Sequence, residues 1–195
     1  MNTKQFATLT DGQLINLFTE GSVDAMNELV NRHKSRIYTS IYAMVKDKYL
    51  AEDIFQDLFI KLIETIRAKK YNDENKFVFW AMRIAHNLCI DHFRKIKAGP
   101  VTISTDDAYL LDILNFSEPS AEEKIVKAQS CSKIMNLVSL LPEDQREVVM
   151  LRHFGNLKFK QISNILNCSV NTALGRMRYA LTNLRKMNEE REPVL

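Results

Sequence analysis

The sequence predicts an all-α protein, built as two small helical domains joined by an acidic linker. Three observations lead there. Only five glycines and four prolines punctuate the 195 residues, and neither type occurs from Val23 to Lys97. Apolar residues recur at four-residue steps inside that block, as at Ile54, Leu58, Leu62 and Ile66, which is the pattern of a helix with one buried face. Charge is segregated as well. Between Ala98 and Glu123 every charge is negative, whereas residues 157–186 contain no acid, in a chain whose formal net charge is only +3.

The elements follow in order. The N-terminal stretch MNTKQFATLTDGQLINLF has no basic start followed by an apolar run, so no signal peptide is expected. No stretch of ~18 uncharged apolar residues occurs, so membrane insertion is not expected either. Cys89, Cys131 and Cys168 stand apart with no CxxC pair. That spacing excludes a disulfide framework and fits a reducing compartment, so a soluble, cytoplasmic protein is expected. After Val23 come long helices. A second apolar stripe runs through Phe77, Trp80, Ile84 and Leu88, and residues 69–76 (KKYNDENK) separate the two as a polar loop.

The tripeptide AGP at 98–100 ends the helical block. The connector beyond it carries Asp106, Asp107, Asp112, Glu118, Glu122 and Glu123 among several apolar residues. Helical periodicity resumes near Pro119, which suits a first turn, and breaks at SLLPEDQ, where Pro142 precedes three polar residues that suit another helix start.

The segment FKQISNILNCSVNTALGRMRYAL has the grammar of a helix-turn-helix. Ile162, Ile165 and Leu166 give a short first helix its inner face. Asn167 falls at the turn, where Asn tolerates the left-handed conformation, and Ser169 suits an N-cap. Val170, Ala173 and Met177 would line the inner side of the second helix. Asn171, Thr172, Gly175, Arg176, Arg178 and Tyr179 then face outward or sideways, as on a helix built to approach a DNA groove.

Two longer stretches carry a resemblance. AEDIFQDLFIKLIETI followed by FVFWAMRIAHNLCIDHFRK resembles region two of bacterial sigma factors of the extracytoplasmic-function (ECF) type. LPEDQREVVMLRHFGNLKFKQISNILNCSVNTALGRMRYAL resembles their region four. The resemblance spans about residues 20–186 and divides the chain into region two (1–97), an acidic linker (98–120), region four (121–187) and a tail (188–195). It implies core RNA polymerase and promoter DNA as partners, and admits an anti-sigma factor as a further one.

By the same resemblance, Asp53, Gln56, Asp57 and Ile60 would meet the clamp coiled coil of the polymerase. Lys70, Tyr71, Asn72, Asn75, Lys76, Trp80, Arg83, Arg94 and Lys95 would serve the −10 element. Lys158, Lys160, Ser169, Asn171, Thr172, Gly175, Arg176, Arg178 and Tyr179 would serve the −35 element. Captured bases need stacking and phosphate contacts, and the loop's aromatic, amides and lysines are of those types. Trp80 fits either a wedge at the melted edge or the core. The second helix departs from the family's commoner Gly-Thr-Val-Lys-Ser-Arg opening, since Asn171, Thr172, Ala173, Leu174, Gly175 and Arg176 stand there. The resemblance therefore implies DNA binding without a particular −35 sequence. It also gives the connector a use, because an acidic, base-free segment imitates the nucleic acid that a polymerase channel otherwise holds.

Other readings have less behind them. His86, Cys89 and His92 are three residues apart, but the outer pair is ~9 Å apart along a helix and diverges in angle, a poor set for one zinc. No metal or cofactor is expected. There is no phosphate-binding glycine loop, GxSxG or HExxH, so no enzyme is expected. The principal rival is a helix-turn-helix regulator with a helical sensing domain. A helical adaptor would account for the acidic face but not for the acid-free motif.

Overall fold

The computed structural model describes residues 6–72, 76–96 and 133–190. Regular structure among them is helical throughout. The first bundle comprises α1 (Asp11–Thr19), α2 (Val23–Val45), α3 (Lys48–Arg67) and α4 (Phe77–Ile96). The second comprises α5 (133–139), α6 (Glu143–Val149), a π-helical turn (Met150–Phe154), α7 (Phe159–Ile165) and α8 (Val170–Glu189). The acidic connector, the helix expected near Pro119, Cys131 and Asn75 lie outside the described residues.

The helix starts have local causes. Thr10 and Gln13 form a reciprocal capping box before α1. Ser22 Oγ accepts from Ala25 N before α2, and Asp47 Oδ1 accepts from Leu50 N at 3.0 Å before α3. Each such cap stabilises its helix by about 1 kcal/mol. Lys46 ends α2 in the left-handed conformation (φ 55°), so α2 reverses into α3 within two residues. Lys69 does the same after α3 (φ 52°), and its neighbour Lys70 N donates back to Thr65 O, a Schellman-type closure made without glycine.

The expected stripe of α3 is the core. Ile54, Leu58, Leu62 and Ile66 are all buried. On α4 the stripe shifts. Phe77, Ala81, Met82, Ala85 and Cys89 are the buried apolar residues, while Trp80, Ile84 and Leu88 are half-buried along one edge. The alanines are the reason: with no bulk at Ala81 and Ala85, α4 lies close on its neighbours, and larger side chains wrap the flank. Burial pushes the Cys89 thiol up to about 12, so it stays protonated and inert.

Helix α2 carries the two bundles. Nine consecutive residues, Ile37 to Val45, are buried. A helix packed on one side buries only a stripe, so its C-terminal half must be covered on both sides. It packs against α1, α3 and α4, and also against the Met150–Phe154 turn of the second bundle. Near its middle, Arg32 donates to Asp11 at 2.9 Å and to the Leu9 carbonyl at 2.8 Å, and His33 Nε2 lies 2.8 Å from Asp11, tying α1 to α2.

Candidate functional site

The outward face of α3 is unusual in composition. Asp53, Gln56 and Asp57 are exposed. Ile60 is 54% exposed, and Tyr49, one turn before Asp53, is 76% exposed. Tyr49, Asp53, Gln56 and Ile60 follow at four- and three-residue spacing, so they share one side of the helix. Two carboxylates and an amide flanked by two large uncovered side chains suit a protein partner better than solvent. Tyr49 was not among the expected residues, although its i−4 relation to Asp53 was there to be read.

The loop after α3 brings its aromatics together. Tyr71 stacks on Trp80 with ring centroids 4.2 Å apart and 29° between planes, and meets Phe77 edge-on at 6.4 Å. Trp80 is thus half-buried against Tyr71 and Phe77, between the two roles expected for it. Lys70, Asn72 and Lys76 are exposed around this stack. Arg83, Arg94 and Lys95 are exposed along α4, Arg94 within 3.7 Å of Asp91. The arrangement is an aromatic platform with cations beside it, which is what stacking of unpaired bases requires.

The helix-turn-helix forms as expected. Ile162 and Ile165 are buried, Asn167 turns with φ 48°, and Ser169 Oγ accepts from Thr172 N at 3.0 Å. Ala173 is buried, whereas Val170, about 70° round the helix from the buried alanines, is 40% exposed. Ser169 and Thr172 also bond each other through their hydroxyls at 2.9 Å, so both serve the cap. Arg176 is turned inward, its Nε 3.3 Å from Asp144 of α6. Asn171, Arg178 and Tyr179 are exposed on α8, as are Lys158 and Lys160 beside it.

Comparison with known proteins shows the family of the chain. The Sigma-70 region 2 family matches residues 29–98, and the Sigma-70, region 4 family matches residues 131–183. The ECF RNA polymerase sigma factor SigW of Bacillus subtilis is 31% identical over 86% of this chain and 90% of its own length. The chain belongs to the sigma-70 family. It is an ECF sigma factor, which binds core RNA polymerase and directs transcription initiation at promoters, and it is not an enzyme.

The ECF sigma factor SigM of the same organism is 31% identical over 74% of this chain and 83% of its own length. Two solved structures share the fold. CnrH in complex with the cytosolic domain of CnrY has a TM-score of 0.64 at 18% identity, covering 93% of this chain and 99% of that one. The sigma factor RpoE of Bartonella quintana, in complex with the anti-sigma factor NepR, also has a TM-score of 0.64, at 14% identity, covering 87% and 100%. No helix among the described residues is long and apolar enough to cross a membrane.

In this sigma factor the two bundles meet along a seam with few but specific polar contacts. Lys46 Nζ donates to the Ser139 carbonyl at 2.7 Å. His86 and Glu147 approach to 3.3 Å with 9% and 13% of their side chains exposed. Beside it, Asn87, Ile90 and Arg94 of α4 face Leu166 and Asn167 of the helix-turn-helix across a cleft of ≈ 440 Å³. His86 is therefore committed to the seam, Cys89 to the core, and His92 to an edge contact with Phe93.

Proposed function

We propose that the two bundles divide promoter recognition between them, and that the packed arrangement is the resting state of the free protein. The outer face of α3, with Asp53, Gln56, Asp57, Ile60 and the added Tyr49, docks on the polymerase clamp. The Tyr71–Trp80 stack with Lys70, Asn72 and Lys76 receives unpaired bases of the −10 element, Arg83, Arg94 and Lys95 holding phosphates. Helix α8 enters the major groove at −35, with Lys158 and Lys160 on the flanking backbone. The protein works in the cytoplasm, and an anti-sigma factor that holds the seam shut would keep it inactive. The solved complex of a similar fold with NepR supports that partner class.

The observation that carries the resting-state reading is one of reach. Helix α4 has 20 residues, about 30 Å at 1.5 Å each, and it touches α7 directly. The loop and α8 therefore lie within a few tens of ångströms. Elements centred at −10 and −35 are by their positions about 25 base pairs apart, about 85 Å of duplex at 3.4 Å per step. The seam must open before both can be engaged, and docking on polymerase supplies the energy.

Run-off transcription with purified core polymerase, with and without this protein, tests the division of labour. Replacing Tyr71 and Asn72 with Ala should leave closed-complex binding largely intact, since that rests on phosphate and −35 contacts. Strand opening, read by permanganate reactivity of thymines near −10, should fall about tenfold, since stacking contributes ~1–3 kcal/mol per base. A template already mismatched at −10 should recover much of the loss. Opening of linear duplex at the wild-type rate would reduce the loop to a plain connector.

A further inference from the structure

Helix α8 is fastened to its domain by two buried alanines, Ala173 and Ala180. At 100° per residue, the opposite line of the helix is taken by Asn171, Gly175, Arg178 and Thr182, all within about 30° of it. This crest is what α8 turns away from its own protein. Asn171, Arg178 and Thr182 are exposed, and Tyr179, about 70° round from the crest, is 66% exposed. Arg176 stands well to one side, where Asp144 holds it.

Glycine is out of place in the middle of such a helix, being the weakest helix former after proline. Two structural reasons could excuse it, and neither applies. Gly175 does not have a positive φ, so the backbone does not demand it. A Cβ built on Gly175 would meet nothing within 4 Å, so packing does not demand it. Gly155 shows the opposite case, since a Cβ there would sit 2.5 Å from the Leu151 carbonyl oxygen. The fold needs Gly155 and is weakened by Gly175. The reason for the second glycine must lie outside the protein.

We propose that Gly175 determines −35 specificity by leaving a notch in the crest that seats α8 against a thymine methyl group. That methyl is the one carbon group projecting from base edges into the major groove, and a side chain at 175 would meet it. Asn171 and Arg178 flank the notch, separated by seven residues or about 10 Å, about three base-pair steps. Their side chains are suited to bidentate contacts with adenine and guanine respectively. The base-reading arginine is then Arg178, and Arg176 positions the helix through Asp144. The inference rests on the reading of α8 as the helix in the −35 groove.

The test uses holoenzyme reconstituted with core polymerase and a promoter library randomised at −35. Gly175→Ala should change the base preference at one or two adjacent positions and weaken binding to the wild-type choice ~10-fold. Core binding should not change, and the thermal midpoint of the free protein should be equal or higher. Unchanged selection and affinity would overturn the notch, and so would a lowered midpoint, because the position would then not be open. Wild-type holoenzyme that enriches no −35 sequence would instead overturn the groove assignment of α8 on which the notch depends.

Discussion

Helices α3 and α8 are the same length, 20 residues, and both begin with a side-chain cap. They are held in opposite ways. Helix α3 buries Ile54, Leu58, Phe59, Leu62 and Ile66 along with Ala51, each large side chain contributing ~1.5–3 kcal/mol. Helix α8 buries only Ala173 and Ala180, with Met177, Leu184 and Met187 partly covered and a cross-link from Asn183 to Gln145 at 2.8 Å. One helix is a wall of the core whose outer face is available to a partner. The other is laid on its domain by small residues and keeps most of its circumference for an external surface. A helix proposed to enter a DNA groove cannot also be wrapped by its own domain, and the light packing of α8 is consistent with that proposal.

The largest expected effect separates the two faces of α3. Reversing Asp53 and Asp57 to Lys should abolish co-purification with core polymerase, while helical content and melting temperature stay near wild type. Both carboxylates are exposed, and exposed charges contribute little to the fold. A double variant that unfolds would show that the outer face, like the inner one, belongs to the structure.

A smaller effect is expected at the seam, where the two regions depend on each other. Lys46→Ala combined with Glu147→Gln removes one charge-assisted bond and weakens another, at about 1.5–3 kcal/mol for a bond to a charged group. The free protein should then open, raising its radius of gyration in small-angle scattering and quickening its association with core polymerase. An unchanged radius would mean that the apolar contacts of α2 with the Met150–Phe154 turn hold the regions without these bonds.

The smallest effect concerns the Asp11 clamp of region two, a more buried relative of the Arg176–Asp144 pair on α8. Burial by itself would raise the Asp11 carboxyl, but hydrogen bonds and charges from His33 and Arg32 outweigh it and hold the group below its ordinary value. A depressed carboxylate stabilises the fold fully above its unfolded pKa, about 3.9, and loses that stabilisation as pH falls through the folded value. Asp11→Asn should therefore lower stability to urea at pH 7, and the difference from wild type should begin to shrink once pH drops below about 4 and vanish only below the depressed folded value. A difference that persists at acid pH would point to shape, not charge, as the role of Asp11.

Much of this protein follows from local sequence alone. The α3 stripe, the Asn167 turn, the Ser169 cap and the helix start at Pro142 are properties of a few adjacent residues, and each formed as its neighbours dictate. The family was legible too, because two degenerate motifs in the right order constrain one another. Other features needed the assembled molecule. The buried face of α4 runs through Ala81 and Ala85 and not through Trp80 and Ile84, because a small residue gains burial only from what lies across from it. The nine-residue buried run of α2 is apolar enough to be read as interior, but only the second bundle says what covers its far side. Arg176 looked free until α6 brought Asp144 beside it. The two glycines are alike in sequence, and the fold alone separates them: a carbonyl closes the space at Gly155, and nothing stands over Gly175.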